Sequence, residues 1–212
     1  MPSTIVATFH SKEYEPIAEI TLPRLEAYCQ IHGYDLYTEE YEGRIEKTIG
    51  WERFARVYDL LFSYETVMWV DADALITNPT VEIEKHLRGS VVMAADLHSA
   101  NTGVFIARKQ ELVRQLFFVI LGEYGRSHFG EHQWGEQAAF IHLTSSPPYN
   151  HLVRWVNQHQ LNSYPNSEHY WPDFIQGNWE PGNFIIQFAG FPLARRIELA
   201  KKYAAMTEHY FK

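Results

Sequence analysis

The sequence predicts an α/β fold, with a central, mainly parallel sheet flanked by helices. Short apolar runs alternate with segments of helical period along the whole chain, the signature of layered strands and helices. The run Thr66-Val67-Met68-Trp69-Val70 is continuously apolar, as a central parallel strand covered on both faces requires. At 212 residues and 46% hydrophobic content, the chain fits one domain with a substantial core.

The elements follow in order. Ile5 to Phe9 reads as a short buried strand. Glu15 to His32 has a helical period through Ile17, Ile20, Leu25 and Tyr28, and Gly33 stands where a helix C-terminal glycine stops it. Asp35 to Thr38 is a second strand, and Glu39 to Gly50 a polar loop. Trp51 to Tyr64 returns to helical period before the apolar strand at 66–70. Asn78-Pro79 marks a turn and Val81 to Leu87 a short helix. Ser90 to Ala95 and Gly103 to Ala107 are two more strands, and helices follow near Glu111–Glu123 and Gly135–Leu143. Ser145 to Gly182, rich in Pro, Asn, Tyr, Trp and His, reads as long loops with one short strand. Phe184 to Phe188 is the last strand and Leu193 to Tyr203 the last helix.

Lys and Arg number 18 against 26 Asp and Glu, a formal charge of −8. That balance argues against a nucleic-acid binder and against a polybasic membrane anchor. It leaves room for a phosphorylated ligand where a divalent cation reverses the local field. The single cysteine, Cys29, excludes an intramolecular disulfide and suits a reducing compartment. No stretch approaches the ~20 apolar residues of a transmembrane helix, and none resembles a signal peptide. The expectation is a soluble, cytoplasmic protein without membrane insertion, unless the chain is one domain of a longer one.

Asp71 and Asp73 follow the apolar strand directly. Open α/β sheets bind ligands at the carboxyl ends of their strands, and two carboxylates one residue apart there can converge on a hard cation, Mn2+ or Mg2+. Their mutual repulsion calls for such a compensating charge. The plain alternative is a turn former or helix cap. A phosphatase of the haloacid-dehalogenase type also places Asp-x-Asp after a strand. It usually continues with Thr or Val where this chain has Leu75, and no downstream Asp-Asp pair follows.

Val67 to Ile76, with Asp71-Ala72-Asp73 at its centre, resembles the signature strand of GT-A-fold retaining glycosyltransferases. The similar groups are the glycogenin and lipopolysaccharide-galactosyltransferase family and the fungal and plant galactosyl- and xylosyltransferase family. Phe54-Ala55-Arg56, Ala94-Ala95-Asp96, Asn101-Thr102-Gly103-Val104-Phe105-Ile106, Glu136-Gln137-Ala138-Ala139 and Gln187-Phe188-Ala189-Gly190 match further motifs of those enzymes in the same order. Ile31-His32-Gly33-Tyr34-Asp35 is similar to an early stretch of the second group. Together the matches span about Thr4 to Gly190, and the chain resembles a small chlorella-virus-encoded transferase in size.

The resemblance implies a single GT-A-like catalytic domain over 1–212, with a nucleotide-binding part at about 1–100 and an acceptor-side part at about 101–212. It implies a UDP-sugar donor, a glycan or saccharide acceptor, and Mn2+ or Mg2+ as cofactor. Asp71, Asp73 and Gln187 are the implied metal ligands; Gln187 stands where the family has a metal-binding His. Thr8, Phe9 and His10, at the end of the first strand, are implied at the nucleotide, with Tyr14 a second stacking candidate. The implied diphosphate-binding residue is Arg56, with Arg53, one helical turn earlier on the same face, as runner-up. Asp96, Asn101 and Thr102 fall at the donor sugar. The resemblance implies that one or both of Glu136 and Gln137 face the anomeric carbon, where only Glu136 is a competent nucleophile. The plain alternatives are turn chemistry for Asn101, before Gly103, and complementing a helix dipole for Glu136.

Trp155, Tyr164, Tyr170, Trp171 and Trp179 are candidates for stacking an acceptor sugar, or for packing a loop-rich lobe. Two other functions compete. A nucleotidyltransferase would need a glycine-rich basic loop after the first strand, which Phe9-His10-Ser11-Lys12-Glu13 lacks. A non-catalytic sugar-binding module would need none of the collinear acidic and amide residues.

Overall fold

The structure is a computed structural model that describes residues 3–42, 49–96, 99–165 and 177–212. Eight strands and eight α-helices are formed by these residues: β1 (Thr4–Ser11), α1 (Glu15–His32), β2 (Asp35–Tyr41), α2 (Ile49–Leu60), β3 (Thr66–Val70), β4 (Ala74–Ile76), α3 (Ile83–His86) and β5 (Val91–Asp96). They continue as β6 (Ser99–Arg108), α4 (Glu111–Leu121), α5 (Glu123–Phe129), α6 (Gly135–Thr144), β7 (Val153–Val156), α7 (Gln158–Leu161), β8 (Ile185–Gln187) and α8 (Leu193–Thr207).

Six strands form the main sheet in the order β2-β1-β3-β6-β5-β7. Every strand runs the same way except β6, which is antiparallel to both β3 and β5. The predicted α/β class and mainly parallel sheet are found. β4 and β8 make a separate antiparallel pair, with Ala74 opposite Gln187. The last predicted strand is therefore in this small sheet and not in the main one.

Helices cover both faces, as the apolar pattern requires. On one face α2, α4 and α6 bury Trp51, Phe54, Phe117 and Phe140 against Trp69 and Phe105. On the other, α1 sets Leu25, Tyr28 and Cys29 against Val6, Met68 and Ile106. A third cluster, Ile17, Leu75, Ile186, Phe188, Leu199 and Tyr203, joins α1, the small sheet and α8. Each buried aliphatic or aromatic side chain contributes about 1.5–3 kcal/mol relative to exposure. α1 ends as its sequence predicts, with Gly33 at φ 68° and its N–H donating to the Cys29 carbonyl.

Several boundaries differ from the sequence reading. β2 runs on to Tyr41, through residues read as loop, because Glu39, Glu40 and Tyr41 pair with Phe9, His10 and Ser11. β6 begins at Ser99, four residues early, because the hairpin from β5 keeps it paired. The helix read as one piece over 111–123 breaks at Gly122, which is extended between α4 and α5. No helix among the described residues is long and apolar enough to cross a membrane.

Candidate active site

Parallel β1 and β3 end side by side, so His10, Ser11 and Asp71 share one edge of the sheet. Because β6 runs the opposite way, its first residues lie at that same edge. The Asp71 N–H donates to the Gly103 carbonyl at 2.8 Å, which brings Asn101 and Thr102 alongside. The β4–β8 pair then places Gln187 across from the Asp-x-Asp turn. Five separate segments reach one point through this topology.

A cavity of about 220 Å³ opens there. Phe9, His10, Ser11 and Tyr14 line it together with Arg53, Asp71, Asp73 and Arg196. Phe9 is itself buried, stacked on Tyr41 and edge-on to Trp69. The Nδ1 of His10 and the hydroxyl of Thr8 are buried without hydrogen-bond partners among the described residues, so polar capacity remains here.

Asp71 and Asp73 are closely held. Trp69 Nε1 donates to Asp71 Oδ1 at 2.7 Å, and Arg53 Nη1 lies 3.2 Å from Asp71 Oδ2. Arg196 Nη1, from α8, donates to Asp73 Oδ2 at 2.6 Å. The Gln187 amide nitrogen bridges the two acids, 3.4 Å from Asp71 Oδ2 and 3.2 Å from Asp73 Oδ1. Burial pushes the Asp71 carboxyl up to about 6; Arg53 and the Trp69 N–H oppose that rise, while Asp73 and Glu136 add to it.

Arg53 also donates to the Thr102 carbonyl, and its Nη2 lies 3.3 Å from Glu136 Oε1. It thus ties β3, β6 and α6 together. Glu136 is 6% exposed and packs on Gly50, where a Cβ would lie 2.2 Å from its carboxyl carbon. The Thr102 hydroxyl donates to Gln137 at 3.1 Å. Asn101 is buried: its carbonyl oxygen accepts from the Gly103 N–H, and its nitrogen donates to the Tyr164 hydroxyl at 2.6 Å.

Arg56 lies elsewhere. Its guanidinium meets Glu39 of β2 at 3.0 Å and Glu52 at 3.5 Å, and hydrogen bonding to Glu39 raises its pKa further. The structure therefore brings Arg53, not Arg56, to the acidic pair. Asp96 is the last residue of β5, and its side chain lies outside the described residues.

Among the stacking candidates, Tyr170 and Trp171 also lie outside the described residues. Trp179 is buried edge-on against Tyr203, Tyr164 is buried beside Asn101, and Trp155 is 46% exposed on the edge strand β7. Sequence reasoning missed Arg196. It lies beyond the last recognised motif, and its only local signal is a basic residue one helical turn into α8.

The residues fit a cation by their donor chemistry. Two carboxylate oxygens already converge on the one Gln187 nitrogen, and all are hard ligands or can present one. In this arrangement Gln187 shows its N–H to the acids while its oxygen accepts from Asn162 Nδ2 at 2.8 Å. The Asn162 Oδ1 is buried without a partner among the described residues. Half-turns of both amides would present the Gln187 oxygen to a cation and give Asn162 Oδ1 a donor.

The chain matches known proteins over this framework. Residues 5–90 match the galactosyl transferase GMA12/MNN10 family. An uncharacterised alpha-1,2-galactosyltransferase of Schizosaccharomyces pombe is 23% identical over 85% of this chain, which spans 58% of that relative's length. A glycosyltransferase involved in the glycosylation of the major capsid of PBCV-1 superposes with a TM-score of 0.69 at 20% identity, over 95% of this chain and all of that one. The glycosyltransferase GlyE of Streptococcus pneumoniae superposes at 0.55 and 16% identity, over all of this chain and 64% of that one. The fold is shared with these glycosyltransferase structures, as the sequence motifs suggested. The part of the chain matched to the galactosyl transferase family holds β1, α2 and the Asp71-Ala72-Asp73 turn.

Proposed function

We propose that this chain is a retaining glycosyltransferase that moves a hexosyl-type sugar from a UDP-sugar to a saccharide or other hydroxyl acceptor. The observation that carries this reading is the cavity itself. Aromatic side chains, Phe9, His10 and Tyr14, line it together with the charged Arg53, Asp71, Asp73 and Arg196. A nucleoside diphosphate offers a partner to each kind of side chain, a flat base and charged phosphates.

Asp71, Asp73 and the Gln187 oxygen would hold the divalent cation, Mn2+ or Mg2+. When bound, it supplies neutralisation of charge on the departing diphosphate. Arg53 holds Asp71 and Glu136 in fixed relation. Glu136 faces the reacting carbon, as the nucleophile of a covalent step or as the stabiliser of an oxocarbenium-like ion pair. Thr102 orients Gln137, and Asn101 braces the strand through Tyr164.

The test is to incubate the protein with radiolabelled UDP-glucose or UDP-galactose and Mn2+. Slow release of UDP and free sugar is expected, and Asp73→Ala or excess chelator should abolish it. Undiminished release under either condition sinks the metal-assisted reading. An inverted product anomer by NMR would overturn retention.

A further inference from the structure

The acidic pair is already neutralised from within. Each of its four carboxylate oxygens accepts an N–H: Asp71 from Trp69, Arg53 and Gln187, and Asp73 from Gln187 and Arg196. Two arginines thereby offset the repulsion between the two neighbouring acids. Of these donors, Arg53 is also fixed to Glu136 and the Thr102 carbonyl. Arg196 is different. Its ion pair with Asp73 is short and nearly dry, the side chains being 18% and 6% exposed, and it lines the cavity.

We propose that Arg196 is a counter-ion that trades partners: it holds Asp73 in the empty enzyme and passes to the donor diphosphate when a divalent cation takes the Asp73 carboxylate. This rests on the donor reading above. A cation seated between Asp71 Oδ2 and Asp73 Oδ1 would lie one carboxylate away from the Arg196 guanidinium on Asp73 Oδ2 and repel it. Arg196 does not have far to go. Its Nε stays anchored on the Phe191 carbonyl at 2.6 Å, and its guanidinium carbon sits 5.5 Å from the Tyr14 ring centroid, inside the same cavity. A planar guanidinium suits bidentate contact with phosphate oxygens. The exchange couples the two ligands. The cation alone must evict Arg196 into an empty cavity, whereas with diphosphate present Arg196 gains an anion as it leaves.

The experiment measures Mn2+ binding by calorimetry or EPR, with and without UDP, in the wild type and in Arg196→Met, which keeps the aliphatic stem. In the wild type UDP should tighten Mn2+ binding by about 100-fold, within the range of strong coupling between sites. In Arg196→Met, Mn2+ alone should bind about tenfold more tightly than to the wild type, UDP with Mn2+ about tenfold more weakly, and the coupling should shrink accordingly. Unchanged or weaker Mn2+ binding by the nucleotide-free variant overturns the exchange. Should that variant not fold, a crystal structure of the wild type with Mn2+ and UDP decides. Arg196 on a phosphate oxygen supports the exchange, and Arg196 still on Asp73 overturns it. Absence of UDP binding by the wild type would instead overturn the donor reading, and the exchange with it.

Discussion

Gly50 touches the carboxylate of Glu136: a Cβ built on Gly50 would lie 2.2 Å from Glu136 Cδ and within 2.3 Å of both oxygens. Gly50 lies in the first turn of α2, where alanine is the better helix former by about 0.5–1 kcal/mol. Gly50→Ala therefore separates stability from function. Its melting temperature should stay within a few degrees of wild type, because the flexible Glu136 side chain moves aside. Its donor-hydrolysis rate should fall by at least about tenfold, since displacement from near-attack geometry is costly. In a Glu136→Gln background the same change should have little further effect. A large additional loss there would show that Gly50 acts through something other than Glu136.

The two arginines of α2 should respond differently to removal. Arg53 bonds Asp71, Glu136 and the Thr102 carbonyl, so Arg53→Met removes the cation that Asp71 and Glu136 share. Breaking the largely buried Arg53–Glu136 pair costs about 3–5 kcal/mol. The expected outcome is a large drop in melting temperature together with loss of transfer. Arg56 is paired with Glu39 and Glu52. Arg56→Met should leave KM for the UDP-sugar within about threefold of wild type and lower stability by about 1 kcal/mol. A selective rise in KM for Arg56→Met would restore it to the diphosphate.

That contrast shows where the sequence was legible. A five-residue apolar run followed by Asp-x-Asp fixes a strand end, and periodicity fixes a helix over Arg53 and Arg56. Which of the two faces the acids depends on what lies across the gap. The answer is Glu39, in a stretch whose polar composition read as loop because its pairing partner, β1, lies some thirty residues earlier. β4 was invisible for the same reason: it has three residues, and its partner β8 lies more than a hundred residues away. The aromatic residues after 150 gave composition without direction. Trp179 donates its indole N–H to Thr77 in the interior, and Tyr164 buttresses Asn101. Gln187 was marked by its place in a motif, but the way its amide points is set by Asn162, which no motif contains.

The raised Asp71 carboxyl carries a signed prediction for the ligand-free protein. Its ordinary value is 3.8, and burial lifts it to about 6. Between those values the folded state holds a proton that the unfolded state has released. Stability therefore falls as pH rises from about 4 to about 6, and above that the charged side chain keeps its cost. With side-chain exposure at 27%, that cost is on the order of 2 kcal/mol. In chelator, Asp71→Asn should melt several degrees above wild type at pH 7.5 and no higher at pH 4. A lower melting temperature for Asp71→Asn at pH 7.5 would mean that the Arg53 ion pair outweighs burial.

Gly103 stands to Gln187 as Gly50 stands to Glu136. A Cβ there would lie 2.2 Å from Gln187 Nε2 and 2.7 Å from Oε1. Gly103→Ala must therefore push the amide off the two carboxylates. The backbone is extended in β6 and accepts alanine, so melting temperature should change little. What should change is the cation requirement. If the Gln187 oxygen is a ligand, the Mn2+ concentration for half-maximal donor hydrolysis should rise about tenfold in Gly103→Ala, and by a similar factor in Gln187→Ala. The double variant should be no worse than either single one, because both remove the same contact. If instead Asp71, Asp73 and the diphosphate hold the cation without Gln187, all three variants will share the wild-type Mn2+ midpoint. The match between this glutamine and the metal-binding histidine of similar enzymes would then be one of position only.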